Sequence, residues 1–258
     1  MTAAVFEPER VDVRQPGSVA RLVRALSHGG FALLDGVLDA RALLKATRSI
    51  ATVVPHRDSR PDGVTVLTDR GSGSTRRGFV GFGRCELMPH TDRSGMAHPP
   101  ALLMMACDQL ADTGGESAVI DGAALYADLA ENEPEAVQAL STPRSALFGG
   151  AAGHLGSVFT LYPDGRTTVR LRLDDLARFS PQATRWLPLL RAMIDRHAMT
   201  VPLRATEGYV LDNHRWLHGR RAFSGNRVVH RVTANPSPHL AIPSGFPCDC
   251  SPCATATA

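Results

Sequence analysis

The stretch Met88-Pro89-His90-Thr91-Asp92 sets an imidazole and a carboxylate two residues apart. On a β-strand, side chains at i and i+2 leave the same face, so His90 and Asp92 converge on one point. One further histidine from a neighbouring strand would complete a 2-His-1-carboxylate set. That set leaves positions open on Fe(II), as oxygen chemistry requires. A histidine two residues before an aspartate also occurs by chance at polar strand ends. Its weight therefore depends on what the rest of the chain supplies.

The segment over 211–220 offers two histidines, His214 and His218. His218 ends a strand-like run and is followed by Gly219, which is expected to leave room for a cosubstrate. It is the better third ligand; His214 lies further from the turn. Arg227 stands nine residues after His218, and Arg231 four further on. Even spacing puts both guanidiniums on one strand face. Buried guanidiniums are costly unless they meet anions, and a planar fork pairing with carboxylate explains them economically. The alternative is an edge strand with both arginines in solvent. Val229 on their face and Val228 on the other argue against a wet face.

The elements that must position these residues follow from periodicity and breakers. Helices are expected over 18–28, 40–53, 121–129 (with Asp121 as N-cap), 135–140 and 181–197, the last kinked or split at Pro188. Strands are expected over 31–34, 64–67, 101–107, 117–120, 158–162, 167–173, 208–211, 216–218 and 227–234. The polar, glycine-rich run over 69–78 reads as a mobile loop and a possible lid. Gly149, Gly150, Gly153 and Gly156 mark a second flexible region. Strands dominate around the metal candidates, which gives a mainly β fold with flanking helices, a jelly roll. One domain is expected over 1–245, with a flexible tail over 246–258.

Composition is that of an ordinary globular protein, with 43% hydrophobic and 21% charged residues. The 28 basic and 25 acidic residues leave a net charge of +3, too small and too even to argue for nucleic acid or membrane. No basic, apolar leader is visible near Met1 and no apolar run is long enough to span a bilayer, so a cytoplasmic location is expected. Cys85 and Cys107 read as buried thiols in apolar segments. Cys248, Cys250 and Cys253 could bind a soft metal but fit a disordered tail better. A cytosolic chain with an odd cysteine count is not expected to be a disulfide scaffold.

Two motifs together resemble the TauD/TfdA (taurine dioxygenase) family. The first is His90-Thr91-Asp92 with Pro99-Pro100-Ala101, Thr113-Gly114-Gly115-Glu116-Ser117 and Asp121-Gly122; the second is Asp212-Asn213 with His218-Gly219-Arg220, Phe223, Arg227 and His230-Arg231. The resemblance implies a double-stranded β-helix and an oxygenase using Fe(II), 2-oxoglutarate and O2. It makes His90, Asp92 and His218 the iron ligands. Arg227 and the hydroxyl of Ser117 would hold the distal carboxylate of 2-oxoglutarate, with Arg231 reaching the substrate anion or the cosubstrate.

The expected reaction is hydroxylation of an unactivated C–H bond of a small molecule. Desaturation, epoxidation and cyclisation are variants, and the carboxylate ligand Asp92 argues against halogenation. A zinc hydrolase would need no inward arginines spaced for a dicarboxylate. A non-catalytic jelly-roll binding protein would need neither the ligands nor the anion clamp. If the strand carrying His90 has no bulge, Glu86, Met88, His90 and Asp92 share a face. Glu86 could then meet an ammonium while Arg231 meets a carboxylate, which suggests an amino-acid-like substrate.

Overall fold

Alternation along the strand Leu102–Gln109 sets up two layers of packing. Leu102, Met104 and Ala106 join one apolar cluster, whereas Leu103 and Met105 join another. A strand buried on both faces needs a cover on each side. Helices cover one face and a second sheet covers the other. The structure is a computed structural model that describes residues 7–71 and 78–248.

Among the described residues the larger sheet has seven strands. Its order is Arg10–Asp12, Phe31–Asp35, Gly208–Asp212, Leu102–Gln109, Val228–Pro236 and Ala51–Val53, with Thr65–Leu67 also paired to Val228–Pro236. The smaller sheet runs Met199–Val201, Ser117–Asp121, Trp216–Arg220 and Leu87–His90. Phe31, Leu103, Tyr209, Trp216 and Val229 fill the space between the sheets. The amphipathic helices Ser18–Gly29 and Ala40–Ile50 bury Leu22, Leu26, Leu43 and Ile50 against the outer face of the larger sheet. The helices Gly122–Asn132, Pro134–Ser141 and Leu187–His197 contribute Leu125, Leu140 and Leu190 to a third cluster, which also holds Ile120 and Leu217 from the smaller sheet. This is the jelly-roll arrangement expected, and Asp121 caps its helix by accepting from the Ala123 amide at 3.0 Å.

Several boundaries differ from the sequence expectation. The helix expected over 40–53 stops at Ile50. Ala51–Val53, rich in β-branched residues, instead pairs antiparallel with 234–236. The helix over 181–197 is split, as expected, into Pro181–Thr184 and Leu187–His197, with the break just ahead of Pro188. Pro188 lies in the first turn of the second piece, where a missing N–H leaves no bond unmade. The strand over 167–173 is Arg166–Val169 and ends before Arg170, whose guanidinium turns to the carbonyls of Ser94 (2.8 Å) and Ala97 (3.1 Å). Residues 246–248, expected within the tail, are held in the fold. Phe246 is fully buried and pairs with Thr167, and the Cys248 amide donates to Gly165 at 3.0 Å. Cys107 is buried as expected, but Cys85 is exposed, because its segment is a bend and not a strand. Cys250, Cys253 and the loop residues 72–77 lie outside the described residues. The near flank of that loop is held by Arg84 on Asp69 (2.7 Å) and by Arg70, 3.6 Å above the Phe82 ring. No helix among the described residues is long and apolar enough to cross a membrane.

Candidate active site

His90 and His218 are direct cross-strand partners in the smaller sheet, and their rings stand 4.4 Å apart between centroids. The register between their strands slips just beyond this pair: Arg220 faces Leu87, so Met88 and Pro89 together oppose Gly219. That is a β-bulge. A Cβ on Gly219 would stand 2.6 Å from the Leu87 carbonyl oxygen and 3.0 Å from the Pro89 nitrogen. The glycine beside His218 therefore admits the bulged neighbouring backbone. It does not open space for a cosubstrate, as the sequence had suggested.

Asp92 follows the strand and is pinned through its backbone. Its amide donates to Asn213 Oδ1 at 2.6 Å, and Asn213 Nδ2 donates to the carbonyls of Asp92 (3.0 Å) and Pro100 (2.9 Å). Asn213 is 1% exposed and uses its whole amide on these contacts. The Thr91 amide is held by Leu171 O at 2.8 Å. The motif that contains Asn213 gives no sign of this role, which arises only from pairing across 121 positions. His214, the rejected alternative ligand, hydrogen-bonds Ser244 Oγ through Nδ1 and lies outside this group.

The electrostatics suit a cation. Burial pushes His90 below its ordinary value and His218 well below it, so both rings are neutral near pH 7. His90 Nδ1 lies 2.9 Å from the Met88 carbonyl oxygen, which fixes the proton on Nδ1 and leaves the Nε2 lone pair free. For Asp92, burial acts upward, but Arg231 and the two histidines outweigh it and hold the carboxyl down at about 2. Asp92 Oδ2 and His218 Nδ1 are buried without a hydrogen-bond partner. Orphaned polar atoms of this kind are uncommon in protein interiors and call for a partner. No three His, Cys, Asp or Glu side chains among the described residues are gathered into one metal-sized group. Asp92 leans toward Arg231 instead, with Nη1 3.4 Å from Oδ2. Donor type, the facing rings and the orphaned atoms fit a divalent metal, and they weigh more than spacing, because Arg231 here supplies the nearest cation.

Ser117 and Arg227 both lie near Tyr209. Ser117 is buried beside Tyr209, which hydrogen-bonds it. Tyr209, 1% exposed and pushed up to about 12 by burial, was not anticipated, although alternation along Gly208–Asp212 points it between the sheets. Arg227 is 7% exposed, and burial lowers its pKa from the ordinary value. It makes no ion pair among the described residues. Arg220 lies close by; Arg220 and Arg227 flank the Phe223 ring at 4.8 and 5.8 Å.

A cavity of about 520 Å³ opens beside His90 and Asp92. His90, Asp92 and Arg231 line it, together with His56, Arg93, Arg172 and Asp174. Glu86 is at its rim, half exposed and 3.3 Å from Arg221. The bulge at 88–89 removes the shared strand face that was to aim Glu86 inward.

A family model described as taurine catabolism dioxygenase TauD, TfdA family matches residues 1–233. Human gamma-butyrobetaine dioxygenase (Homo sapiens) is 26% identical over 172 residues, which is 59% of this chain and 44% of that protein. The chain thus matches less than half the length of this relative. Among solved structures, asparagine oxygenase in complex with Fe(II), 2S,3S-3-hydroxyasparagine and succinate superposes with a TM-score of 0.68 at 18% identity, covering 84% of this chain and 77% of that one. The non-heme iron oxygenase OrfP, in complex with Fe, succinate and (3S)-hydroxy-L-Arg, gives 0.68 at 16% identity, covering 86% and 82%. At these identities the two structures establish the shared fold.

Proposed function

The chain belongs to the TauD/TfdA family, and from that premise we propose that it is an Fe(II)- and 2-oxoglutarate-dependent oxygenase hydroxylating a small, amino-acid-like molecule. The observation that carries this reading is the pairing of two half-sites. Two neutral, facing histidines stand beside an ionised Asp92. Near Tyr209, which feels the charges of both Asp92 and Arg227, that arginine is buried with no carboxylate partner among the described residues.

His90, Asp92 and His218 would hold the metal. Iron and 2-oxoglutarate, once bound with O2, supply the oxidising power for a C–H bond, and 2-oxoglutarate leaves as succinate and CO2. Arg227 and the Ser117 hydroxyl hold the distal carboxylate; Tyr209 orients Ser117 and keeps its own proton. Burial makes that grip strong, because a dry guanidinium gains more from a carboxylate than a wet one does. Arg231, paired with Asp92, lines the cavity and meets an acid group on the substrate. Asp174 and Glu86 are carboxylates lining the cavity, already paired with Arg172 and Arg221, so a substrate ammonium would share them with those arginines. The amino acids in the two superposed structures support an amino-acid-like substrate. The free thiols Cys85, Cys107 and Cys248, together with a need for ferrous iron, suit a reducing compartment and support a cytoplasmic location.

The test is turnover under labelled oxygen gas in chloride buffer, with products resolved by mass. Hydroxylation places one labelled oxygen in the product and one in succinate. Label confined to succinate and water would select desaturation or cyclisation. A chlorinated main product would contradict Asp92 as a ligand. Oxygen-independent hydrolysis would favour a zinc hydrolase instead.

A further inference from the structure

The strand that carries His90 is thinly supported. Leu87–His90 lies at the edge of the smaller sheet and pairs on one side, with Trp216–Arg220. The bulge leaves His218 opposite His90 and Arg220 opposite Leu87, with a break in the ladder between them. The aim of such a strand depends on the chain that leads into it. That chain is the short helical turn Val80–Phe82 and the bend that follows. Val80, Gly81, Phe82, Glu86 and Leu87 from this stretch also line the cavity.

Arg220 reaches across to it. This arginine follows His218 on the same strand, is 6% exposed and makes no ion pair among the described residues. Its Nη1 donates to the Gly81 carbonyl at 3.3 Å, and its Nη2 donates to the Cys85 carbonyl. Its Nε is buried without a partner among the described residues. One guanidinium thus closes the bend between Gly81 and Cys85 and ties it to the His218 strand. The Phe223 amide adds a bond to the Arg84 carbonyl at 3.0 Å. The neighbouring pair of Arg221 and Glu86 is exposed and contributes little. A buried charge bonded to neutral carbonyls alone adds little net stability, so its placement calls for another reason.

Arg227 supplies one. Both guanidiniums lie against the Phe223 ring, Arg220 at 4.8 Å and Arg227 at 5.8 Å. Burial, and then the charge of Arg227, pushes Arg220 down to about 10, so it stays a cation near pH 7. Two like charges at a shared, buried ring repel more strongly than they would in water. A carboxylate held by Arg227 offsets that repulsion. It therefore favours Arg220 in its place on the two carbonyls, and the grip on cosubstrate and the hold on the bend become linked.

We propose that Arg220 is a positioning residue that ties the segment 80–87 to the His218 strand, and that cosubstrate bound at Arg227 tightens this tie. Arg220 acts through His90, whose strand it steadies, and through the cavity wall, and it touches neither metal nor substrate. The tie itself needs only this chain; its tightening by cosubstrate rests on the oxygenase reading.

The experiment is amide hydrogen exchange of the anaerobic protein, read by mass, first metal-free, then with Fe(II), then with Fe(II) and 2-oxoglutarate. In the native protein 2-oxoglutarate should slow exchange over 80–87 by about tenfold, the worth of one charge-assisted hydrogen bond. Arg220→Met keeps most of the volume and removes the donors. In the metal-free protein it should speed exchange over 80–87 by about tenfold. It should also abolish the slowing by 2-oxoglutarate and weaken Fe(II) binding, titrated by calorimetry, by about tenfold. Its Tm should stay close to native, because an apolar side chain replaces a buried charge and the bend at exposed Cys85 can turn to water. Arg220→Lys offers a point charge in place of the fork and should restore part of each effect. Native-like exchange in Arg220→Met, or faster exchange spread over the whole chain with a lowered Tm, overturns the positioning role. Unchanged exchange over 80–87 in native protein that binds 2-oxoglutarate by calorimetry overturns the tightening. No binding of 2-oxoglutarate at all would count against the oxygenase reading, while the metal-free comparison still decides the tie.

Discussion

Removing the side chain of Asn213 should damage the metal site without touching a ligand. Asn213→Ala orphans the Asp92 amide and the carbonyls of Asp92 and Pro100, all now bonded at 2.6 to 3.0 Å. Each buried orphan costs about 1–3 kcal/mol, and partial relaxation puts the sum at about 3–6 kcal/mol. For a chain of this size that is a fall in Tm on the order of 10 °C. The Asp92 carboxylate also loses the anchor that sets its direction, so Fe(II) affinity should fall about 10- to 100-fold, as when a partner of a metal ligand is removed. Asn213→Asp separates the two effects. It keeps the acceptor for the Asp92 amide but turns an oxygen toward the two carbonyls. Its metal affinity should lie between those of the native protein and Asn213→Ala. The assay is anaerobic Fe(II) titration by calorimetry, with thermal melts of the metal-free variants. Native-like metal affinity in a folded Asn213→Ala protein would refute the reasoning.

Arg227→Ala should weaken 2-oxoglutarate binding by about 2–5 kcal/mol, the usual cost of truncating one partner of a buried charge pair, while Fe(II) affinity stays near native; both are read by titration, and an unchanged cosubstrate affinity would move the clamp to Arg220 or Arg231. Asp212 gives a pH prediction. It is buried, accepts from the His214 amide at 2.8 Å and the Gly245 amide at 2.7 Å, and burial pushes its carboxyl from 3.8 up to about 7. Its folded pKa exceeds its unfolded one, so its contribution is complete below about pH 4 and is lost as pH rises through about 7, on the order of 2–4 kcal/mol in all. An asparagine side chain at this position cannot titrate, so Asp212→Asn should be most destabilised relative to the native protein near pH 5 and least near pH 8. Denaturant unfolding at the two pH values checks this, and a pH-independent difference would count against it.

What could be read from the sequence was what is local. His90 and Asp92 are neighbours, and Arg227 and Arg231 announce themselves as charges in an apolar segment, although the strand itself, Val228–Pro236, leaves Arg227 just outside and slips register between Val228 and Val229. His218 was preferred to His214 chiefly for the glycine beside it, and that glycine in fact admits the bulged neighbouring strand. What could not be read depends on pairing between distant segments. Asn213 meets Asp92 across 121 positions. The bulge at Met88-Pro89 exists because a glycine stands opposite on another strand, and one inserted residue turns Glu86 from the cavity to its rim. Tyr209 was legible by alternation, but its hydroxyl contact with Ser117 was not. The strand at Phe246 is too short to show periodicity and is made by its partner, Arg166–Val169.

The account stands on His90, Asp92 and His218 holding iron beside a 2-oxoglutarate gripped by Arg227. The most direct measurement is the visible spectrum of the anaerobic protein on addition of Fe(II) and then 2-oxoglutarate. The account predicts a weak charge-transfer band that needs both additions, is lost in His218→Ala, and requires a higher 2-oxoglutarate concentration in Arg227→Ala. No band in the native protein, or a band unchanged in His218→Ala, would contradict it.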